Sequence, residues 1–347
     1  MKLVMTLLAR DEADVVDAQL AFHLHAGVDF VIATDNRSRD GTTEILERYE
    51  REGVLRLLRE DGEDMRQDEW VTGMARLAAA EHGADWVINA DADEFWWPRG
   101  GSLKAVLSAV PDRYGIVRAS WRHFVPRPAG DAFFAERMTV RLCAPAHPGD
   151  KETIFHAHQK VAHRGSTAVT VEAGNHDADG AGLDPLRSWH PIEVLHFSLR
   201  SATQIERKAA GGWLRNADYE PTLHQLLLDE AVRAGMVEEF FSAAAVDDHR
   251  LAQGLADGTL AIDTRLRDAL RVIRDVETGE FALPEAEDAG LRFPRPGVLE
   301  DAAYAGEAAV LDQIDGIVRA EERVAALEHR LTSLERGPLS RLRDLVR

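Results

Sequence analysis

The sequence predicts an α/β fold: a mixed, mostly parallel sheet flanked by helices, with a C-terminal helical extension. Three observations predict it. Apolar runs of strand length alternate with amphipathic stretches through the first 120 residues, a pattern that requires parallel pairing with helices on the sheet faces. Glycines close the helical stretches at positions 27, 53 and 83. Beyond residue 200 the helical period takes over from the strand period.

In chain order, residues 2–8 (KLVMTLL) read as a buried strand and residues 12–26 as a helix with Val15, Val16, Ala18, Leu20, Phe22 and Leu24 at helical spacing. Residues 28–34 form a second strand, 42–52 an amphipathic helix, 54–60 a third strand, 67–82 another helix and 85–90 a fourth strand. Between 114 and 200, short β-like runs (GIVRASW, TIFHAHQKVA, AVTVEA, IEVLHFS) separated by Gly/Pro-rich loops predict mixed or antiparallel strands that extend the sheet. Residues 201–280 turn helical, and an acidic Pro/Gly stretch near 283–302 reads as a linker. A long helix is expected over 303–336. Its Ile317, Ala320, Val324, Leu327, Leu331 and Leu334 follow a 3-4 spacing, which serves either a coiled-coil homodimer arm or a helix folded back on the body. The tail carries Arg341, Arg343 and Arg347, a weak basic patch for an anionic membrane surface.

The chain has 347 residues, 45% hydrophobic and 29% charged, enough to bury a sizeable core. Sixty acidic against 41 basic residues give a formal charge of -19, which repels a phosphate backbone and argues against nucleic acid as a partner. One cysteine, Cys143, excludes an internal disulfide framework and a cysteine-rich zinc site. No run reaches about 18 uncharged apolar residues, so a cytoplasmic protein is expected, at most peripheral to the inner face of the membrane.

The chemistry concentrates at strand ends, where open α/β sheets bind ligands. The fourth strand runs directly into Asp91-Ala92-Asp93-Glu94. Three carboxylates in four residues repel one another unless a cation neutralises them, and hard divalent metals take such oxygen ligands. An EF-hand loop is excluded, because Trp96 stands where that loop needs glycine. Trp96 and Trp97 suit core packing better than stacking on a sugar ring. The second strand ends in Asp35-Asn36, and Ser38, Asp40, Gly41 and Thr42 open a helix, with Gly41 for a tight turn and Thr42 as its cap. His196 stands at a strand end before a helix, and His176 is its rival as a ligand. Lys160, one of only five lysines, and Arg200 are candidates to neutralise a diphosphate. His156, His158 and His163 crowd together without cysteine partners and are expected to be incidental.

Together, Arg10-Asp11-Glu12 after strand one, Asp35-x-x-Ser38-x-Asp40-Gly41-Thr42 and Asp91-Ala92-Asp93-Glu94-Phe95 resemble a GT-A-fold glycosyltransferase of family 2, in a bacterial subgroup with an Asp-x-Asp-Glu-Phe motif related to family 92. The likeness covers about residues 1–215; the family's usual Asn-Glu is Asp11-Glu12 here. The resemblance implies a nucleotide-sugar-binding and catalytic domain over 1–215, then a helical extension (216–282), the linker (283–302) and the long helix with its basic tail (303–347). It implies a Mn²⁺ or Mg²⁺ ion held by Asp91, Asp93 and His196, and a UDP- or GDP-sugar contacted by Arg10, Asp11, Asp35, Asp40, Asp91 and Lys160. The acceptor would be a saccharide or lipid-linked molecule in cell-surface polysaccharide synthesis. An inverting transfer needs a base on the acceptor side, for which Asp177 and then Glu172 are the candidates. Two other functions fit the same motifs: a metal-dependent phosphohydrolase using Asp91 as nucleophile, and a non-catalytic nucleotide-sugar-binding or scaffold protein.

Overall fold

The computed structural model describes residues 1–62, 66–128, 130, 132–146, 150, 152–210, 223–275, 277–284 and 291–335. Strands β1 (Leu3–Ala9), β2 (Phe30–Asp35), β3 (Leu55–Arg59) and β4 (Trp86–Asp91) are joined by helices α1 (Val16–His25), α2 (Thr42–Arg51) and α3 (Gln67–Ala80). The chain then passes through β5 (Glu94–Pro98), α4 (Leu103–Ser108), β6 (Ile116–His123), α5 (Phe134–Arg137), β7 (Val140–Leu142), β8 (Gln159–Arg164), β9 (Thr170–Val171), β10 (Ala178–Asp179), β11 (Pro185–Leu186) and β12 (Ile192–His196). It continues with α6 (Ala202–Ala210), α7 (Leu223–Ala234), α8 (Val237–Ala244), α9 (Asp248–Asp257), β13 (Leu260–Ile262), α10 (Arg265–Ile273) and α11 (Val298–Glu335).

The main sheet runs β3-β2-β1-β4-β8-β6-β12-β5, with β11 paired to β6. Strands β1 to β4 pair in parallel, β8 is antiparallel to both β4 and β6, β12 is parallel to β6, and β5 is antiparallel to β12. The expected mixed sheet is thus present. Strand order reverses between β1 and β4, since β2 and β3 lie to one side of β1 and β4 to the other. A crevice opens at such a switch point, outside the carboxyl ends of the strands.

Strand alternation builds the two layers of core. Leu3, Met5 and Leu7 of β1, with Trp86, Ile88 and Ala90 of β4, enter one cluster with Val16, Leu20 and Phe22 of α1. Val4 and Val87, one residue out of step, enter the other with Val71, Met74 and Ala75 of α3. Trp96 and Trp97 are buried in the first cluster, with Trp97 stacked on Phe22 and edge-on to Phe293, so packing explains both indoles.

Several boundaries differ from the sequence reading. In the run TIFHAHQKVA only the end is strand, because β8 starts at Gln159; upstream, His156 makes an isolated bridge to Ala146. Strand β13 interrupts the helical stretch, pairing antiparallel with β7. Helix α11 starts at Val298, inside the expected linker, where Pro296-Gly297 ends the extended stretch and Glu300 and Asp301 occupy the first turn, favourable beside the positive end of the helix dipole. Thr42 opens α2 and does not cap it: the N-cap is Gly41, without a side-chain cap, and Asp40 accepts from the Thr42 amide (3.1 Å) and hydroxyl (2.6 Å). Gly41 sits at φ 104°, where a side chain would be strained. The tail after Glu335, with its three arginines, lies outside the described residues.

Buried histidines make this core acid-sensitive. His23 of α1 is fully buried; its Nδ1 donates to the Gln19 carbonyl (2.7 Å) and its Nε2 accepts from the Trp96 amide (3.1 Å). A proton on Nε2 would face another donor, and burial pulls its pKa down to about 4. His163 is likewise buried and pulled down to about 4. A histidine ordinarily titrates near 6.5, so between pH 6.5 and 4 the unfolded chain binds protons that the folded chain refuses. Stability is therefore full above pH 6.5 and is lost as pH falls towards 4, by up to about 3 kcal/mol for each of the two. Thermal melts across this window should show a steep fall, and a shallower one in His23→Leu. Equal slopes in the two proteins would contradict the assignment.

Candidate active site at the switch point

Asp35 and Asp91 end the two strands that flank β1. In the register of the sheet, Asp35 lies opposite Ala9 and Asp91 opposite Leu8, which places the two about 10 Å apart along the carboxyl edge. The loops after β1 and β2 are laced together. Ser38 Oγ accepts from the Asp11 amide (3.0 Å), Asp11 Oδ1 from the Arg39 amide (2.7 Å), and Thr42 Oγ1 from the Glu12 amide (2.8 Å). Arg10 Nη1 donates to Asn36 Oδ1 (2.8 Å) and the Ala13 amide to Asp40 Oδ2 (3.0 Å). Arg10, Asp11 and Asp40 thus shape the rim of the crevice. Among the described residues, the non-glycine positive φ angles belong to Asp11, Arg37 and Asn175, all at this edge. Strained backbone of this kind clusters at functional sites.

Asp35 accepts from the Ser38 amide (3.1 Å) and the Thr43 hydroxyl (2.5 Å). It lines a polar cavity of about 290 Å³ with Arg37, Ser38, Arg39, Thr43, Arg59 and Asp61.

The motif after β4 divides its carboxylates between two sets of partners. Asp91 Oδ2 accepts from Lys160 Nζ (2.5 Å) and its Oδ1 from Asn175 Nδ2 (3.0 Å). Glu94, fully buried, faces Lys160 Nζ (2.9 Å) and the Trp121 indole N–H (2.8 Å), and its other oxygen accepts from the Asp91 amide (3.1 Å). Burial pushes the Glu94 carboxyl up to about 8 despite that lysine. Asp93, beyond the tight turn, faces the other way. Its Oδ2 meets Lys208 Nζ (2.9 Å) and Arg200 Nη1 (3.5 Å), and its Oδ1 lies 3.8 Å from His196 Nε2. Burial opposes its ionisation, but Lys208 and Arg200 outweigh that and hold the carboxyl well below the usual carboxylate range.

Arg200 and Lys208 are the hub of this half. Arg200, 1% exposed, binds Glu12, Asp14 (2.7 Å) and Asp93, and Lys208 bridges Glu12 (2.9 Å) and Asp93. Burial raises Glu12 above its ordinary value even beside both cations.

A chain of hydrogen bonds fixes the state of His196. His123 Nε2 faces the His156 carbonyl (2.8 Å), which only accepts, so that nitrogen carries the proton. Burial pulls His123 down to about 4, so the ring is neutral and its Nδ1 is bare. His196 Nδ1 lies 3.3 Å from that lone pair and must donate to it. Burial holds His196 neutral as well, well below its ordinary pKa, although Asp93 favours the charge. Its Nε2 therefore points a lone pair at Asp93 Oδ1. Two acceptors facing each other across 3.8 Å are the arrangement that a cation between them would satisfy. Trp121 stacks on the His196 ring (4.2 Å between centroids) and holds it there.

Asp93 Oδ1 and His196 Nε2 form a donor pair of the kind that divalent ions take. Asp93 and His196 come together; Asp91 is turned away to Lys160 and Asn175. Among the described residues, no group of three His, Cys, Asp or Glu side chains gathers to hold a metal. Remaining positions would fall to water and phosphate oxygens, as hard cations accept.

The other candidates fall beside the site. Glu172 and Asp177 flank Asn175, and this segment packs on Asp91 and Lys160 through the Gly174 carbonyl, which accepts from Lys160 Nζ (2.6 Å). Glu172 is exposed; Asp177 accepts from Arg118 (3.0 Å). His176 bonds the Gln159 carbonyl, stacks on His158 and meets Trp121 edge-on. Sequence reasoning missed Lys208, Asp14, Asn175, Trp121 and His123 as parts of the site. Lysine scarcity, which singled out Lys160, applied equally to Lys208.

No family model matches the chain, and no curated protein matches it. Among solved structures, S. aureus TarS residues 1–349 in complex with UDP is similar at 13% identity and a TM-score of 0.31, over 86% of this chain and all of that one. The same protein in complex with UDP-GlcNAc is similar at 11% identity, with a TM-score of 0.33 and the same coverage. A likeness this distant transfers neither family nor ligand to the present chain.

Proposed function

We propose that this protein is a glycosyltransferase that moves a sugar from a nucleotide-sugar donor, UDP- or GDP-linked, to a saccharide or lipid-linked acceptor, in the service of cell-surface polysaccharide synthesis. The observation that carries the reading is the Asp93 site: a buried carboxylate at the switch point, paired with a bare imidazole nitrogen and backed by the buried Arg200 and the half-buried Lys208. The Asp35 cavity on the same edge is of a size and polarity to take the base. Asp91, held by Lys160 and Asn175, is the carboxylate that would meet the ribose.

The difficult step is departure of a nucleoside diphosphate, which develops negative charge as the sugar leaves. Arg200 and Lys208 stand at that point in fixed ion pairs with Glu12, Asp14 and Asp93, so little reorganisation accompanies the reaction. A Mn²⁺ or Mg²⁺ ion held by Asp93 and His196 would supply Lewis-acid stabilisation of the same charge. Asp177 and Glu172, on the segment beside Asp91, are the acceptor-side carboxylates in this reading.

The test is a thermal-shift and hydrolysis screen of nucleotide sugars with and without Mn²⁺. Stabilisation by one donor, strengthened by metal and followed by slow release of its diphosphate, supports the transferase. Phosphate release from simple esters instead identifies a phosphohydrolase, and binding without turnover identifies a binding protein. The tautomer chain adds a sharper expectation. His123→Leu removes the acceptor that orients His196, and Mn²⁺ affinity, followed by calorimetry or electron paramagnetic resonance, should fall about 10–100-fold. Unchanged Mn²⁺ affinity would reject the role given to His196.

A further inference from the structure

Helix α11 presents two faces, and the body covers one. Tyr304, Ala308 and Asp312 are buried against the body. Tyr304 donates its hydroxyl to the Ile192 carbonyl (2.6 Å) and lies between the Arg99 and Arg122 guanidinium groups. Arg99 pairs with Asp301, Arg122 with Glu307 and Arg118 with Asp312. The other face is apolar and open: Val310, Ile317, Val324 and Leu327 are each more than half exposed.

These two faces occupy complementary positions of one heptad. With Ile317 at a, positions 310, 324 and 331 are also a, while Ala320, Leu327 and Leu334 are d. The body-facing residues fall at b (Tyr304), f (Ala308) and c (Asp312), the outer positions of a coiled coil. Docking onto the body therefore leaves Val310, Ile317, Val324 and Leu327 of the a/d seam free. We propose that a second copy of this chain covers that seam, forming a parallel two-stranded coiled coil from about Ile317 to Glu335.

The charge pattern selects both occupant and direction. In this register the sequence places arginine at g (Arg323, Arg330) and glutamate at e (Glu321, Glu328, Glu335). In a parallel pair, g of one chain meets the following e of its partner, giving Arg323 with Glu328 and Arg330 with Glu335 on both sides. An antiparallel pair sets g against g and e against e, arginine facing arginine and glutamate facing glutamate. β-Branched residues at two a positions, Ile317 and Val324, with leucine at two of the three d positions, Leu327 and Leu334, favour two strands. Because the first turns of α11 are already formed on the body, the costly helix nucleus is in place before the partner arrives.

The experiment is light scattering on the full chain across a concentration series, with a crosslinking arm. Wild type should show twice the 38.4 kDa chain mass. Val324→Lys with Leu327→Lys changes two exposed side chains, so the folded monomer should survive with an unchanged melting temperature at high dilution, while dimer affinity falls at least about 100-fold. Arg323→Glu with Arg330→Glu, which sets glutamate against glutamate, should also yield monomer, and mixing it with the Glu328→Arg, Glu335→Arg chain should restore the dimer. For direction, Leu334→Cys in a Cys143→Ser background should oxidise to a covalent dimer, because only the parallel pairing apposes the two copies of residue 334. A monomer at every concentration overturns the proposal, as does a dimer that ignores the two lysines. A dimer whose residue 334 cysteines do not crosslink overturns the parallel arrangement. None of these readouts involves nucleotide, so they stand or fall apart from the proposed activity.

Discussion

Asp93→Asn is expected to abolish sugar transfer, by about 10³-fold or more, in a protein that folds and melts almost as wild type. The two effects separate because of the charges around the residue. Three carboxylates, Glu12, Asp14 and Asp93, stand around two cations, the buried Arg200 and the half-buried Lys208. Asparagine keeps the shape of the side chain and leaves two carboxylates facing two cations, a matched set. What disappears is the anionic oxygen aimed at the bare nitrogen of His196, and with it half of the donor pair. Kinetics with the preferred donor, beside a thermal melt and a Mn²⁺ titration, measure all three consequences. Retention of more than about a tenth of the activity with Mn²⁺ present would remove Asp93 from the centre of the account.

Arg200→Met should have the largest effect on stability. The guanidinium is 1% exposed and touches three carboxylates that come from two distant loops. Methionine approximates the aliphatic stem but leaves those carboxylates facing Lys208 alone. An uncompensated buried charge of this kind costs about 3–5 kcal/mol, which corresponds to a fall in melting temperature of about 5–10 °C or more. Adding Asp14→Leu, which removes one stranded carboxylate, should recover part of the loss, whereas a surface ion pair would show neither the loss nor the recovery. A variant within about 1 °C of wild type would mean that the cluster is solvated and weakly coupled.

The fold was legible where local periodicity carries the information. Apolar runs of strand length marked β1, β2 and β4, and the strand-to-acid junctions at Asp35 and Asp91 pointed to the candidate edge before any topology was known. The site was only half legible, because its second half is assembled by packing between segments remote in sequence. Arg200 reaches Glu12 across 188 positions, and His123 meets His196 only because β6 and β12 pair in parallel with those two residues in register. Neither relation leaves a mark on a one-dimensional pattern. The split of the acidic motif was hidden for a related reason: the turn at Ala92-Asp93 sends Asp91 towards Lys160 and Asp93 towards Arg200, and spacing alone treats them as one cluster. The heptad was visible throughout, and what the structure adds is that b, c and f face the body, which frees a and d.

The proposed activity requires that a nucleotide-sugar donor be cleaved at the crevice around Asp93. Release of nucleoside diphosphate from a panel of UDP- and GDP-sugars, with Mn²⁺ and with wild type and Asp93→Asn side by side, tests it most directly. The account predicts release from one donor class by the wild type and near-background release by the variant. Release at equal rates by both proteins, or from no donor by wild type that melts normally, would contradict it.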